Sequence, residues 1–427
     1  MKQHSTGPTA SARSSSKMSP ARPAPTQTSP IKISIVVSDF SQGSVGRWGG
    51  GVRTVLLAEA LENLGYQVEL VGMNFGEDHP ALEALRQRWT LKVIPGGRYP
   101  GFFKSARQVL QALDGDVIYA QKLKPASFGL ALLKKWFGQK PVLLDIDDWE
   151  MSWHGGDDYR YRGSPYQLLR DVFGKNGGLR EPHHPLYLSW IERWVSHASA
   201  VTVNTESLRQ RFGGVAIPSG KDMTAFDPSQ YDPEQSRADY GLRDYRVLMF
   251  PGAPRPYKGV EDVLEAMKLL GWPDLRLVIV GGSPYDRYDQ ELQQKWGESY
   301  LIQLPKQPPK LMPKIVAAAH VVVVPQRDTA ATRAQFPLKL TDGMAMAKPI
   351  LTTTVGDIPK ILGQTGYIVE PQSPRSLAAA LESIFADYGA AQRLGQQARQ
   401  RCLENYSLAA IARHLAPMVE TCLSSTR

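Results

Sequence analysis

Phe250-Pro251-Gly252-Ala253-Pro254-Arg255-Pro256-Tyr257-Lys258-Gly259 runs straight into Val260-Glu261-Asp262-Val263-Leu264-Glu265-Ala266. Arg246 to Phe250 reads as a strand, and the quoted stretch as a Gly/Pro loop carrying two fixed cations. Val260, Val263, Leu264, Met267 and Leu270 then fall on one helical face. A helix N-terminus carries unpaired N–H groups and partial positive charge, so Arg255 and Lys258 just ahead of one make a strong anion site. A second stretch, Gln335 to Pro349, leads into the strand-like Ile350 to Thr354. It sets Asp342 one helical turn past a Pro-bounded loop whose N–H groups can also face a phosphate. A diphosphate and a ribose suit this pair of segments.

Outward from these segments the chain alternates strand and helix signals. Lys32 to Ser38 is a β-branched run suited to a buried parallel strand. Ser41 to Gly51 reads as a loop, Val52 to Leu64 as an amphipathic helix stopped by Gly65, and Gln67 to Gly72 as the next strand. This β-loop-α-β unit opens a doubly wound domain. Val117 to Ala120, Pro141 to Ile146 and Ala200 to Asn204 add strands. A second unit comes after them, with strands at Arg246 to Phe250, Leu275 to Gly281, Leu301 to Leu304, Val321 to Val324 and Ile350 to Thr353. Ser373-Pro374 starts a helix with an N-cap and a proline at its first position. Leu408 to Cys422 is helical.

The chain resembles the retaining nucleotide-sugar glycosyltransferases of group 1, over roughly residues 31 to 405. Arg255 and Lys258-Gly259 match that family's Arg…Lys-Gly pair. Asp342 to Pro349 matches its Glu-Ala-Met-Ala-x-Gly-Lys-Pro segment, and Val355 to Leu362 with Thr365 to Val369 matches the family's next segment. The resemblance implies an α/β fold of GT-B type, two doubly wound Rossmann-like domains facing a central cleft. The expected organisation is a disordered tail (1–30), an N-terminal acceptor-side domain (31–222), a linker (223–243), a C-terminal donor-binding domain (244–405) and a terminal helix crossing back (406–427).

The implied reaction moves a sugar from a nucleoside-diphosphate-sugar donor to a hydroxyl of a glycan, lipid or small-molecule acceptor, with retention and without a metal. Charge on the departing diphosphate must be stabilised by a metal or by fixed cations, and here the cations are present. Donor contacts are implied for Gly50, Gly51, Gly252, Arg255, Lys258, Arg333, Phe336, Leu338, Lys339, Leu340 and Asp342. Asp342 stands where the family has a ribose-binding Glu. Eight residues earlier the family often has a Glu on the transferred sugar, whereas this chain has Ala334, flanked by Arg333 and Gln335.

Asp145-Ile146-Asp147-Asp148 has the look of a metal-binding Asp-x-Asp. In the family a His-Asp often stands here, which makes Asp147 a hydrogen-bond acceptor for a sugar hydroxyl and the third catalytic residue beside Arg255 and Lys258. By strand alternation Asp148 faces the other way. His154, His183 and His184 lack ligand spacing. Two readings from other classes stand beside the enzyme: a non-catalytic GT-B-like binding protein, suggested by Ala334, and a GT-B-fold sugar-nucleotide epimerase, for which no acid/base set is visible.

Composition is ordinary for a soluble protein, with 42% hydrophobic and 21% charged residues among 427. The two cysteines, Cys402 and Cys422, have neither zinc nor disulfide spacing, which suits a reducing cytoplasm. No apolar run reaches spanning length. Residues 1–30 are Ser, Thr, Pro and Ala with four cations and no acid, a bias shared by disordered tails and plastid transit peptides. Net charge is +9, and residues 81–140 hold eleven cations against three acids. Such a block attracts an anionic membrane surface, with no nucleic-acid motif beside it. Phe128 to Phe137 reads equally as an interfacial helix or a buried one.

Overall fold

The computed structural model describes residues 30–41, 50–79, 81–161, 163–283, 286–297 and 299–424. The tail expected over residues 1–30 lies outside these but for its last residue, as does Gly49 of the glycine loop.

Seven parallel strands form the first sheet: β1 (Lys32–Val37), β2 (Gln67–Asn74), β3 (Thr90–Pro95), β4 (Val117–Gln121), β5 (Val142–Ile146), β6 (Ala200–Val203) and β7 (Val215–Ala216). Their order is β3-β2-β1-β4-β5-β6-β7. Six more form the second: β8 (Arg246–Phe250), β9 (Leu275–Val280), β10 (Leu301–Leu304), β11 (Val321–Val324), β12 (Ile350–Thr353) and β13 (Tyr367–Val369), in the order β10-β9-β8-β11-β12-β13. All the pairings are parallel. Both sheets reverse winding direction beside their first strand, between β1 and β4 and between β8 and β11. Open α/β sheets bind ligands at the strand carboxyl ends beside such a switch point.

Strands buried on both faces run largely apolar, and Val321–Val324 is wholly so. One side of the first sheet packs Leu57 and Leu61 of the helix Gly50–Asn63 together with Ile411, Leu415 and Val419 of the helix Leu408–Ser424. The other side packs Phe102, Val109, Leu130 and Ile191. The second sheet lies between a layer with Met344, Ile361 and Cys402 and one with Val263, Met267 and Leu381. Residues 223–243, read as a linker, are built into this second half. They carry the helix Pro233–Asp239 and bury Phe226 and Leu242 in its core.

The helix Leu130–Gly138 buries Leu130, Ala131 and Leu132, so its body belongs to the core. Only its end, Trp136 and Phe137, is exposed. No helix among the described residues is long and apolar enough to cross a membrane.

Candidate functional site

The loop after β8 is shaped by two glycines. Gly259 has φ 67°, and a Cβ there would stand 1.9 Å from the Pro325 carbonyl oxygen, so no other residue fits without moving the backbone. Gly252 has φ 145°, and a Cβ would meet the Lys339 side chain at 3.0 Å. Between them Arg255 is extended (φ −150°, ψ 150°) and Pro256–Lys258 forms one 3-10 turn. The next helix, Val260–Leu270, is tied down at its first turn. Arg327 forks onto Asp262 at 2.9 and 2.7 Å, and its backbone N–H donates to the Tyr257 carbonyl at 3.0 Å.

Three cations converge on this loop. Arg255 is largely buried, donates to Ser283 Oγ and lies 3.5 Å from Asp286. Burial pushes the Lys258 ammonium well below the ordinary lysine pKa, and the charges of Lys339 and Arg255 push it further. Burial also lowers Lys339, against the opposing pull of Asp342. Like charges held together in a poorly solvated place are costly unless an anion joins them. The arrangement is a charge hole suited to a diphosphate.

The helix Leu338–Ala345 supplies Lys339 and Asp342. Asp342 pairs with Lys221, the residue following Gly220 at the exit from the first sheet. Other members of the implied donor set are placed differently. The Phe336 and Leu340 side chains are buried in the second core, so only their backbones can meet a ligand. Arg333 is exposed and forks onto Asp328 at 2.6 and 2.7 Å. Ala334 is buried among apolar residues of the first half. Gly50 and Gly51 open the helix Gly50–Asn63.

On the first half, the Asp145 to Asp148 run divides its acids among three tasks. Asp145 is fully buried, gripped by Arg53 at 2.9 and 2.7 Å and by Thr202 Oγ1 at 2.7 Å. It is a core ion pair. Asp147 pairs with Lys122 at 3.1 Å, and its carbonyl accepts from Asn204 Nδ2 at 2.9 Å. Lys122 also reaches Glu150 at 3.2 Å, and Lys124 meets the same Glu150 at 3.2 Å. These two cations outweigh burial and hold the Glu150 carboxyl down at about 2.

Asp148 accepts from Trp153 Nε1 at 3.2 Å. Its carboxyl is pushed up to about 7 by burial, against Lys122 and with help from Glu150 and Asp147. Lys122 and Glu150 thus act on Asp148 as well as standing beside Asp147. β5 ends at Ile146, and beyond a strand's end the two-residue period no longer applies. His183 lies near this cluster with its ring held neutral: burial, then Lys124, push it down to about 3. Among the described residues no group of three or more His, Cys, Asp or Glu side chains is placed to hold a metal.

The two strand-end surfaces meet. Trp153 packs on Tyr257 with ring centroids 5.4 Å apart, and the Glu206 backbone N–H donates to Asp357 Oδ2 at 2.8 Å. Beside them is a cleft cavity of about 490 Å³, lined by Trp149, Leu208 and Arg211 on one side and by Ala330, Arg333 and Ala334 on the other. Sequence reasoning missed Lys122, Lys124, Arg53 and Lys221. The first two were visible only as members of a basic block.

The model of glycosyl transferases group 1 matches residues 245–387, and that of the glycosyl transferase 4-like domain matches residues 49–223. The chain is 25% identical over 419 residues to a D-inositol 3-phosphate glycosyltransferase of Corynebacterium glutamicum, covering 92% of this chain and 96% of the relative. Its fold matches Anabaena HepE in complex with UDP, with a TM-score of 0.70 and 17% identity over 92% of this chain and 100% of that one. It also matches the sucrose-phosphate synthase of Thermosynechococcus elongatus (TM-score 0.65, 18% identity, 92% and 100% covered). With two parallel sheets meeting at their strand ends and a family match in each half, this chain belongs to the group 1 glycosyltransferases and has the GT-B architecture.

Proposed function

We propose that this protein transfers a sugar from a nucleoside-diphosphate-sugar to an acceptor hydroxyl, with retention of configuration and without a metal. The observation that carries the reading is the convergence of Arg255, Lys258 and Lys339, with burial and the Arg255 charge depressing both lysines and Lys339 depressing Lys258 further. A diphosphate leaving group supplies the missing negative charge and gains most as its own charge develops in the transition state. UDP and UDP-glucose in the Anabaena structures support a uridine donor. Retention is what the group 1 resemblance implies, and in this reading the donor phosphate helps to deprotonate the acceptor hydroxyl while Asp147 accepts a hydrogen bond from a sugar hydroxyl. The acceptor reaches the cleft from the Asp147–Lys122–Glu150 side. The basic first half rests against an anionic membrane face.

Incubation with UDP-glucose and related UDP, GDP and ADP sugars should release nucleoside diphosphate slowly without acceptor and faster with one. Ala334 gives a second reading some support, since no acid stands at that place and Arg333 is engaged by Asp328. Tight donor binding with no release from any sugar nucleotide would establish a binding protein instead.

A further inference from the structure

The helix Pro165–Phe173 is amphipathic, and its apolar face is left bare. None of its residues is buried. Tyr166, Leu169 and Phe173 are 77%, 58% and 78% exposed, and Leu168 and Val172 are exposed too. With about 100° between successive residues, these five side chains fall in one arc, while Gln167, Arg170 and Asp171 fall opposite. On the polar side Gln167 and Arg170 are exposed as well, and only Asp171 is half-buried, where it accepts from Tyr161 Oη at 2.8 Å. A surface helix ordinarily turns its apolar stripe inward.

What holds this short helix is polar. Ser164 and Gln167 form a capping box at its start. Past its end, the Arg180 guanidinium donates to the Gly174 carbonyl at 3.3 Å and to the Tyr99 carbonyl at 2.8 Å. Its five apolar side chains remain exposed side by side, and an exposed apolar patch of this kind marks an interaction surface.

The first half carries more exposed apolar surface. Phe103, Trp190 and Phe137 are 66%, 53% and 86% exposed. Tyr99 links two of its parts, touching Phe103 at 5.2 Å and Tyr187 at 5.5 Å between ring centroids. Trp194 links two others, Trp136 at 5.5 Å and Trp190 at 5.6 Å. Around them Lys104, Arg107, Lys175 and Arg193 are exposed, with side chains in no ion pair among the described residues. A second copy laid on this face would bring cation to cation. A bilayer with anionic headgroups complements both the apolar arc and the basic rim.

We propose that the helix Pro165–Phe173 is the element by which this protein docks on an anionic lipid bilayer, its apolar arc in the headgroup–acyl boundary and Lys104 and Arg107 on lipid phosphates. The proposal rests on the peripheral membrane reading above and assigns it a surface. It shifts the contact from the helix Leu130–Gly138, whose body is core, to a helix that has no core-facing residue.

The test uses the full chain and its Leu169→Ser/Phe173→Ser variant, sedimented with phosphatidylcholine–phosphatidylglycerol vesicles and with phosphatidylcholine alone. Wild type should bind the anionic vesicles better, and the variant should lose about tenfold or more in binding, as two apolar side chains leave the interface. Its melting temperature and nucleotide affinity should be unchanged, because neither side chain packs in a core. Lys104→Glu/Arg107→Glu should remove the preference for anionic vesicles. If wild type binds neither vesicle, both the peripheral reading and this assignment fall. If wild type binds and the serine variant binds equally, the peripheral reading stands and this helix is not the contact. A concentration-dependent dimer that the serine variant abolishes, with vesicle binding intact, would overturn the assignment in favour of a second copy.

Discussion

Lys221 closes an ion pair onto Asp342, and their side chains are only 11% and 12% exposed. Lys221 also stands over the Phe226 ring at 4.3 Å from its centroid. The acid expected at the ribose is thus already engaged by a cation from the exit of the first sheet.

Removing one member of so enclosed a pair leaves the other charged and poorly solvated. Asp342→Ala should cost about 3–5 kcal/mol in stability, and Lys221→Met less, because it leaves a carboxylate that Lys339 also attracts. If Asp342 holds the ribose as well, Asp342→Asn weakens binding of a whole nucleotide and leaves that of pyrophosphate alone nearly unchanged. Denaturant titration and calorimetry with the two ligands separate the roles. Equal losses for both ligands would remove Asp342 from the ribose.

At the diphosphate clamp, Arg255→Ala or Lys258→Ala should lower turnover by about two orders of magnitude or more. Unchanged nucleotide affinity in both variants would overturn the clamp. A pH effect accompanies it. Lys258 is depressed in the free protein, and a bound diphosphate favours its charged form, so binding takes up a proton at pH values between the free and bound pKa. Calorimetry in buffers of different ionisation enthalpy reads this uptake, and Lys258→Met should abolish it. For folding the sign is similar. The unfolded lysine holds its proton where the folded one does not, so this group adds stability as pH rises from its depressed pKa to the ordinary lysine value.

Arg53→Met or Asp145→Asn should destabilise the first half by about 3 kcal/mol or more, since each strands a buried charge or breaks its fork. Denaturation midpoints check this. A variant that melts normally but loses a metal-dependent activity would instead revive a metal role for Asp145.

Transfer in excess EDTA should equal transfer with Mg²⁺ or Mn²⁺, because Arg53 and Lys122 occupy the acids a cation would need. Loss on chelation with recovery on adding Mn²⁺ would reverse that reading.

The Asp148 carboxyl stands near 7, raised by burial. Folding therefore favours its protonated form. The stability it contributes is full below the unfolded pKa of about 4 and is lost as pH rises through about 7. Asp148→Asn should flatten the decline in melting temperature between those limits. An unchanged slope would place Asp148 in water.

How far the sequence could be read depends on the range of each interaction. Periodicity and β-branching marked the buried strands, β1, β8 and β11 among them, because burial on both faces leaves a local signature. The edge strand β3 was missed: Thr90–Pro95 includes Thr90, Lys92 and Pro95 and is only partly buried. β7 has two residues and β13 three, too few to show a period. The cation loop was legible because its glycines, prolines, cations and following helix are contiguous. Arg53 on Asp145 and Lys221 on Asp342 join residues 92 and 121 positions apart, and nothing local announces such a partner. The Ser164-Pro165 start and the 3.6-residue period of the helix after it were readable, but which edge meets the protein is a tertiary fact.

Two crossings connect the halves, and they touch. The Lys221 backbone N–H donates to the Tyr406 carbonyl at 2.7 Å, and Lys221 bridges in parallel to Ser407. Gly220 admits no side chain there, since a Cβ would come within 2.7 Å of Ile411. With both covalent connections bound side by side, the two lobes share one short axle instead of two separate tethers. An opening about that axle would part Trp153 from Tyr257 and Glu206 from Asp357, the contacts lying across the cleft. Asp342, held by Lys221, would then sit at the pivot, and Gly220→Val should strain that axle, read as a lower melting temperature.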